Sequence, residues 1–586
     1  MSYIFIDVRK KIAEIVGQSV KEAIDSKELV LNFVSPDKLF SKISIEIPNN
    51  RGYGEFSSNI ALISTGFFRL PASEISEIIL KYINKNCNLC GFIEFCKIEN
   101  GGFLNFYMNS TFFCKIVKEI DNFGDDYGNS DFGSMCELNN NTFIESNKYS
   151  KMPKKILIEY VSANPTGPMH IGNARLGALG DCIAQLLLKS GFAVDKEFYV
   201  NDAGNQIEKF GQSLSARYEQ IFDEKAIFPD DGYKGEDIKI LAKSFADIFN
   251  DKYINEDYEV RKRALIDFSL PKNIEKMKND LEKYKIIFDN WFYESQLYKN
   301  GDIEKVVKLL KENSAVFESE GCTFFRTTDF GEDKNEVLIR KNGIPTYFAA
   351  DIAYHFNKFL IRNYDICINV WGADHHGHIS RMKCALKVLG IDPNRLKIIT
   401  VQLVNVIRNG EINKMSKRDG RAEKLDRFIE EVGVDSARFI FNMQNFNSKM
   451  DFDVELAKKN DMSNPIYYIQ YAYVRFASII RTFDLNKIDF NKLNLSVLNS
   501  TEEKELIFKL SSFPYEVIES VKKLNPSKIS RYMIDLASLC HKFYTEKRVE
   551  NSDENLSYSR LLLCIQASKV IKTALNMIKI SIPKYM

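Results

Sequence analysis

Four of the six histidines fall in two short segments whose residue types could bind phosphate. One segment begins with His170 and reads His-Ile-Gly-Asn, and the other holds His375, His376 and His378. A third segment, 414–420, reads Lys-Met-Ser-Lys-Arg-Asp-Gly and is cationic. Two remote positive segments that meet on one polyphosphate suit a reaction at its α-phosphate, because negative charge spreads there as pyrophosphate leaves. The chain has no Gly-x-x-x-x-Gly-Lys-Ser/Thr sequence, which excludes a P-loop enzyme.

The elements that must position these segments are predicted strands of a parallel sheet. Short apolar runs without alternation, typical of strands buried on both faces, occupy residues 155–161, 196–200, 365–370 and 396–401. Residues 172–189 predict a helix whose N-terminus favours an anion. Both histidine segments follow such strands, and we place the lysine segment after a strand that ends near Val404. Because ligands bind beyond the carboxyl ends of parallel strands, the pattern predicts a Rossmann-like α/β domain with its site at that edge.

The two signatures resemble those of one enzyme class. His170 and the three residues after it are similar to the HIGH sequence of class I aminoacyl-tRNA synthetases, and 414–418 resembles their KMSKS loop. Each signature alone is a weak signal, but Lys414 follows His170 by 244 residues and each comes after a predicted strand. Longer blocks at 159–170, 346–355 and 371–378 resemble bacterial arginyl-tRNA synthetases more specifically. The resemblance therefore implies membership of that family.

The resemblance also assigns residues to substrates. A guanidinium is a planar group of five donors, and carboxylates are its natural receptors. The implied arginine-binding residues are Glu159, Asn164, His170, Tyr347, Asp351 and Asp374. The implied ATP-binding residues are His170, Gly172, Asn173, Gly372, His375, His378, Lys414, Met415, Ser416 and Lys417. Of these, His170, Asn173, Lys414 and Lys417 are expected to be catalytic, and no residue is assigned to a metal. Taken singly, Asp351 could be an ordinary surface acid and Glu159 a strand-end salt bridge.

Asn173 departs from the family pattern, which has a second histidine at this position. Asparagine can donate a hydrogen bond to a phosphate oxygen but cannot become a cation. We therefore predict a working enzyme that depends more strongly on Lys414 and Lys417. The alternative is a catalytically weakened tRNA-binding paralogue of the same fold, against which the intact lysine segment and pocket carboxylates argue.

The resemblance covers nearly the whole chain and implies a division into domains. Residues 1–130 are expected to form an N-terminal α+β domain that recognises the D-arm of tRNA, followed by a polar linker at 131–153. The catalytic domain is expected at 154–460 with a helical insertion at about 210–325, and an all-α anticodon-binding domain at 461–586. The implied tRNA-binding residues are Asn100, Phe103, Asn105, Tyr471, Arg475 and Met586. For Phe103, burial in a short strand is an equal alternative.

The reaction implied by the resemblance has two steps. The carboxylate of arginine attacks the α-phosphate of ATP, which is supplied as its Mg²⁺ complex, and the arginyl-adenylate then acylates the 2′-hydroxyl of the terminal adenosine of tRNA(Arg). Since positioning and electrostatics account for catalysis, we expect no nucleophilic Ser or Cys and no tightly bound cofactor. A cysteine-specific synthetase would need a zinc site beside the pocket, and a smaller nucleotidyltransferase would lack the helical C-terminal domain.

The composition fits a soluble protein, with 45% hydrophobic residues, 27% charged residues and a net charge of +1. From Asp461 onward 18 Lys and Arg accompany 13 Asp and Glu, a mild positive excess that suits tRNA or is ordinary scatter. The pair Cys87 and Cys90 has no partner pair at zinc spacing, and we assign it to structure. Asp7 interrupts any secretory signal. We therefore expect a cytoplasmic monomer whose partners are tRNA(Arg), arginine and ATP, without membrane or DNA.

Overall fold

The computed structural model describes residues 2–32, 35–48, 50–86, 90–139, 142–145, 152–373, 376–413 and 423–586. The N-terminal part packs helices on a small antiparallel sheet of order β1-β3-β2. Its elements are α1 (Ile4–Asp25), α2 (Pro36–Phe40), β1 (Phe56–Ser58), α3 (Ile60–Ile63), α4 (Thr65–Phe68), α5 (Ala72–Asn86), β2 (Ile93–Glu99), β3 (Phe103–Met108) and α6 (Ser110–Phe123). Helix α1 buries one stripe of apolar residues at helical spacing, which explains its length of 22 residues.

The segment predicted as a polar linker contains regular structure. Helix α7 (Phe132–Met135) leads into a hairpin of β4 (Cys136–Asn139) and β5 (Thr142–Glu145). The rings of Phe132 and Phe143 lie 6.3 and 5.1 Å from that of Phe192, measured between centroids. Phe132 and Phe143 therefore attach this segment to the catalytic domain. The prediction of a linker followed the many polar residues and did not use these two aromatic ones.

The catalytic domain is built on a five-stranded, all-parallel sheet of order β13-β12-β6-β7-β8. Its strands are β6 (Lys155–Glu159), β7 (Ala193–Val200), β8 (Asn290–Tyr293), β12 (Ile366–Gly372) and β13 (Leu396–Val401). Alternate residues of the central strand enter different cores, since Ile156 and Ile158 pack on one face of the sheet and Leu157 on the other. The four predicted strands are confirmed, and burial on both faces explains their unbroken apolar runs.

The helices around this sheet include the predicted insertion. They are α8 (Ile171–Lys189), α9 (Asn205–Phe222), α10 (Glu236–Phe249), α11 (Tyr258–Lys283), α12 (Ser295–Lys299), α13 (Asp302–Glu312), α14 (Tyr347–Phe356) and α15 (His376–Val388). Three short strands, β9 (Val316–Ser319), β10 (Cys322–Phe325) and β11 (Glu336–Ile339), form a separate antiparallel sheet. Helices α9, α10 and α11 share a small core of their own. The range predicted for the insertion, about 210–325, also contains β8, which is a strand of the main sheet. The prediction did not separate this strand because four residues are too few to show a pattern in a largely helical segment.

A second small sheet is formed by strands on both sides of the lysine segment in the sequence. Strand β14 (Val404–Arg408) pairs antiparallel with β15 (Glu411–Asn413) and parallel with β16 (Met450–Asp453). The prediction that a strand ends near Val404 is therefore wrong, because a strand begins there. The lysine segment follows β15 in the sequence and lies outside the described residues.

Two of the remaining helices lie between β15 and β16 in the chain, and the others follow β16 and fill the C-terminal part. These remaining helices are α16 (Leu425–Val432), α17 (Val434–Met443), α18 (Val454–Lys458), α19 (Pro465–Thr482), α20 (Thr501–Ser511), α21 (Phe513–Lys522), α22 (Ser527–Glu546) and α23 (Glu554–Met577). The N-terminal and C-terminal parts share one core, in which the ring centroid of Phe508 lies 5.6 Å from that of Phe5 and 5.5 Å from that of Phe56. Within the described ranges, no helix has the length and apolarity needed to span a membrane.

Candidate active site

The turn after the central strand β6 has an unusual backbone. Val161 and Ser162 both have positive φ angles, 68° and 37°. This region is costly for a β-branched residue such as Val161, and strained backbone of this kind concentrates at functional sites. The Ser162 hydroxyl compensates by donating to Glu159 Oε1 at 3.0 Å and accepting from the amide of Tyr199 at 3.2 Å. The turn therefore fixes the Glu159 carboxylate at the carboxyl edge of the sheet.

His170 and Asn173 together cap the N-terminus of α8. His170 Nδ1 accepts from the amide of Gly172 at 3.1 Å, and Asn173 Oδ1 accepts from the amide of His170 at 3.0 Å. A Cβ atom at residue 172 would lie 2.9 Å from the imidazole of His170, which explains the glycine. Because Oδ1 of Asn173 is engaged in the cap, its Nδ2 is the atom that can donate to a phosphate at this helix end.

Glu423 and Leu425, which are among the first described residues after the lysine segment, lie beside His170. The amide of Ile171 donates to the carbonyl of Glu423 at 3.1 Å, and the amide of Leu425 donates to that of Met169 at 2.9 Å. Glu423 is thereby held against the mouth of α8. Six predicted site residues lie outside the described residues, namely Asp374, His375, Lys414, Met415, Ser416 and Lys417.

Glu159 pairs with a lysine that the sequence did not point to. Lys358 lies on a π-helical turn, Asn357–Ile361, that continues α14, and its Nζ atom is 2.6 Å from Glu159 Oε2. Both side chains are buried, and the Lys358 ammonium lies 3.9 Å from the centre of the Tyr354 ring. With Ser162 on its other oxygen, Glu159 has donors from the protein on both carboxylate oxygens. The predicted role of Glu159 in binding arginine stays a prediction, and each of its oxygens already has one donor from the protein.

Lys358 also begins a series of buried hydrogen bonds that runs through Asn369 and His355 to Asp351. It donates to Asn369 Oδ1 at 3.2 Å, and Asn369 Nδ2 lies 3.1 Å from His355 Nε2. His355 Nδ1 lies 2.8 Å from the carbonyl oxygen of Asp351. Burial, reinforced by the charge of Lys358, lowers the pKa of His355 to about 3, so its ring is neutral and donates through Nδ1. These hydrogen bonds together fix the turn of α14 that carries Asp351.

Asp351 and Tyr347 lie one helical turn apart on α14 and share a face of that helix. Asp351 Oδ2 is 2.7 Å from His378 Nε2, which joins a predicted arginine-binding residue to a predicted ATP-binding one. The Tyr347 hydroxyl accepts from the amide of Asn205 at 3.1 Å, and the residue is 46% exposed. Asp351 is one-third exposed, so both residues remain accessible to a small ligand.

Glu294 is a site residue that the sequence analysis missed. It directly follows strand β8 and is only 1% exposed, and neither carboxylate oxygen has a hydrogen-bond partner among the described residues. Burial, and then the charges of Asp351 and Asp202, raise its pKa to about 8. An unpartnered buried carboxylate beside a second acid is suited to an incoming cation. An acid directly after a strand of the parallel sheet would have indicated a site residue, but the sequence analysis assigned β8 to the helical insertion.

Three of these carboxylates lie close enough to one buried ring, that of Tyr199, to act on it through their charge. Tyr199 is buried, and its burial, followed by the negative charges of Glu294, Asp351 and Glu159, raises the pKa of its phenol. Asn164 is exposed in the turn before α8, and Gly372 ends β12 with open space where a Cβ would stand. We call Glu294, Asp351 and Tyr347 the acidic pocket.

The predicted D-arm residues lie on the turn and strand after β2. Asn100 has a left-handed φ of 47° in the turn, and Phe103 is half-buried at the start of β3. Asn105 is buried, and its Oδ1 accepts from Ser57 Oγ at 2.6 Å. Asn105 lies on the central strand of this sheet and contacts β1 through Ser57, and its role in reading tRNA stays a prediction.

The predicted residues of α19 belong to an aromatic and cationic surface. The guanidinium of Arg475 lies 4.5 and 4.6 Å from the ring centres of Tyr471 and Tyr544. The C-terminal tail follows the same helix, since Gln470 Nε2 donates to the carbonyl of Ser581 at 2.8 Å, and Met586 is 44% exposed. Stacked rings beside a guanidinium are suited to unpaired nucleotides.

Comparison with protein families accounts for this arrangement. A family model described as tRNA synthetases class I (R), catalytic domain, matches residues 138–474. An arginyl tRNA synthetase N terminal domain matches 10–108, and a DALR anticodon binding domain matches 469–586. The chain belongs to the arginyl-tRNA synthetase family. The expected combination of a parallel-sheet catalytic domain with an N-terminal domain and a helical anticodon-binding domain is confirmed.

Full-length members of the family are similar along the whole chain. The arginine–tRNA ligase of Acetivibrio thermocellus is 43% identical over 591 residues, and that of Caldanaerobacter subterraneus subsp. tengcongensis is 43% identical over 589, each alignment covering 100% of both chains. Among solved structures, Thermus thermophilus arginyl-tRNA synthetase matches with a TM-score of 0.72 at 19% identity, covering 99% of this chain and 100% of that one. At that identity the structural match supports the fold alone.

Proposed function

We propose that this chain ligates L-arginine to tRNA(Arg) through an arginyl-adenylate, with transfer to the 2′-hydroxyl of the terminal adenosine. Membership of the arginyl-tRNA synthetase family supports the reaction, and the acidic pocket supports the amino acid. In the first step the arginine carboxylate attacks the α-phosphate of ATP, bound as its Mg²⁺ complex, and pyrophosphate leaves. In the second step the acyl group passes to tRNA and AMP leaves. The comparisons give no support to a catalytically weakened paralogue.

The unpartnered carboxylate of Glu294 is the observation that carries the choice of substrate. A guanidinium would supply donors to Glu294 and Asp351 at once, and Tyr347 would pack beside it. Since burial and the charge of Asp351 raise the pKa of Glu294 to about 8, its carboxyl is protonated at neutral pH, and a guanidinium that binds there would displace the proton. Lysine presents a compact point charge and would leave part of this acidic pocket unpaired, which penalises its binding.

The ATP side of the reaction is assigned to the mouth of α8. Asn173 Nδ2 can donate to a phosphate at this helix N-terminus because its Oδ1 is engaged in the cap, and the backbone of Glu423 is held beside Ile171. We propose that Lys414 and Lys417 stabilise the charge that develops as pyrophosphate leaves, and that Asp374 and His375 contact substrate as the resemblance implies. Positioning and electrostatics then account for catalysis without a covalent enzyme intermediate.

Pyrophosphate exchange with each amino acid, with and without tRNA(Arg), tests the proposal. We expect arginine-dependent exchange that requires tRNA, as is general in this family. The variant Lys417→Ala should abolish the exchange, which controls for a contaminating synthetase. Exchange with another amino acid, or none with any, would contradict the proposed function. A monomeric state is a further proposal, which sedimentation equilibrium would check.

A further inference from the structure

Arg175 is a fully buried cation in the first turns of α8. None of the described carboxylates pairs with it, and burial lowers its pKa to about 10, so it stays charged at neutral pH. Its Nε atom has no hydrogen-bond partner among the described residues. A buried charge without a counter-ion is costly and needs an explanation in what it binds.

Arg175 binds four backbone carbonyls on two loops. Nη1 donates to the carbonyl of Gln402 at 2.8 Å and lies 3.5 Å from that of Leu403. Nη2 donates to the carbonyls of Asn445 and Ser448, both at 3.1 Å. The two loops lead into β14 and β16, which pair in parallel from their first residues onward. One guanidinium therefore holds the start of both strands against α8.

The same small sheet is also tied to α8 at its other end. Strand β14 continues through a turn into β15, and residue 414 comes next. Arg408 Nη2 on β14 lies 3.2 Å from the side-chain oxygen Oε1 of Glu423. The backbone carbonyl of Glu423 in turn accepts from the amide of Ile171 on α8. The stretch from β14 to Glu423 is thus attached to the helix of His170 at its beginning, through Arg175, and at its end.

We propose that Arg175 is a positioning residue that sets the small sheet β14–β16 on α8, and with it the end of β15 from which the lysine segment continues in the sequence, for the ATP-dependent step at the mouth of α8. This inference rests on the proposed function, because its readout is the ATP-dependent step. It predicts an effect on ATP and on the rate of adenylate formation, without an effect on arginine recognition, since the acidic pocket is built from β8 and α14.

The variant Arg175→Lys separates positioning from charge. A lysine keeps the positive charge but is a point donor and cannot reach carbonyls on both loops at once. A displacement of a catalytic group by about 1 Å costs on the order of 100-fold in rate, so we expect kcat of exchange to fall about 10- to 100-fold and KM for ATP to rise. KM for arginine should stay within about 2-fold of wild type. Arg175→Met should lower kcat at least as far.

The matched control is Arg261→Lys in the helical insertion. Arg261 is also buried and donates to Ser215 Oγ and to the carbonyl of Ile254, both at 3.0 Å. We expect this variant to lose thermal stability with unchanged exchange kinetics. Hydrogen exchange gives a second readout, since Arg175→Lys should speed exchange of the amides of 404–408 but not those of 156–159.

The outcomes are distinct. Inactive wild type would defeat the proposed function itself, and with it the inference that rests on it. Active wild type together with Arg175→Lys at wild-type kcat and KM for ATP, or with the same loss as Arg261→Lys, would overturn the positioning role. Failure of both Arg175 variants to fold would also overturn it, by assigning Arg175 to general stability.

Discussion

Replacing Glu294 by glutamine should strengthen the folded protein and weaken its use of arginine. The carboxylate is buried and unpartnered within the described part of the chain, and burial with Asp351 and Asp202 raises its pKa from 4.5 to about 8. Glutamine keeps the shape of the side chain and removes the titrating charge. The variant therefore separates two effects of Glu294: the stability that its buried charge costs the protein without arginine, and the affinity that the charge contributes when arginine binds.

The sign of the stability change follows from proton linkage. Between about pH 4.5 and about 8 the folded state holds the proton of Glu294 while the unfolded state has released it, so the stability of wild type falls as pH rises through this window. One pKa unit corresponds to about 1.4 kcal/mol, so the loss reaches about 3 kcal/mol at pH 7 and at most about 5 kcal/mol above pH 8. Glu294→Gln escapes this loss, and its advantage should vanish near pH 4.5.

The effect on arginine has the opposite sign. Removing one partner of a buried, hydrogen-bonded charge pair costs about 2–4 kcal/mol, or about 30- to 1000-fold in KM for arginine. Thermal melting at pH 5 and pH 8, with and without arginine, measures the stability, and pyrophosphate exchange with tRNA measures KM. Arginine should raise the melting temperature of wild type and not that of Glu294→Gln.

The N-terminal domain offers a matched control in Glu119. This carboxyl is also buried, with one oxygen bonded to the amide of Ile4, and burial raises its pKa to about 7. Glu119→Gln should share the pH-dependent gain in stability and keep the wild-type KM for arginine. A Glu294→Gln variant with unchanged KM for arginine, or with a stability gain that is the same at pH 5 and pH 8, would refute the reasoning.

Four further predictions concern the other parts of the site. Lys358→Met leaves the buried carboxylate of Glu159 without its cation and should destabilise the protein by about 3–5 kcal/mol in chemical unfolding; the double variant with Glu159→Gln should recover most of this, and additive losses would contradict the pairing. Because His355 has a pKa of about 3 when folded, wild type should lose stability as pH falls below 6.5, and His355→Gln should flatten that slope in melts from pH 4 to 7. Asn173→Asp keeps the acceptor of the helix cap but repels phosphate, so exchange activity should drop about 100-fold with an unchanged melting temperature; equal activity would exclude a phosphate contact. Arg475→Gln should raise KM for tRNA about 10-fold and leave KM for arginine unchanged, which aminoacylation kinetics would check.

The alternation of strand and helix was readable because it depends on local sequence. Buried parallel strands need unbroken apolar runs, and the runs at 155–161 and 365–370 became β6 and β12. The four-residue strand β8 was missed, since a strand this short inside a helical insertion has no periodicity of its own. That omission also concealed Glu294, which is identifiable only once its strand is placed in the sheet.

The pairing of charges was not readable in the same way. Glu159 and Lys358 are 199 positions apart in the chain, and their contact depends on a π-helical turn that no composition predicts. Likewise, the contact of Asn105 with Ser57, 48 positions away, depends on the pairing of β1 with β3. Nothing in the residue types showed which acids the protein satisfies internally and which it leaves for a substrate.

The sequence by itself determined the family, the signatures at His170 and Lys414, and the edge of the sheet at which chemistry occurs, because these depend on residue types at short spacing along strands and helices. Only the tertiary structure decided that Glu294 and not Glu159 is the carboxylate without a partner among the described residues, and that Arg175 joins α8 to the sheet before the lysine segment. The physical reason is that the state of a buried charge depends on which distant groups share its low-dielectric surroundings, and folding alone brings those groups together.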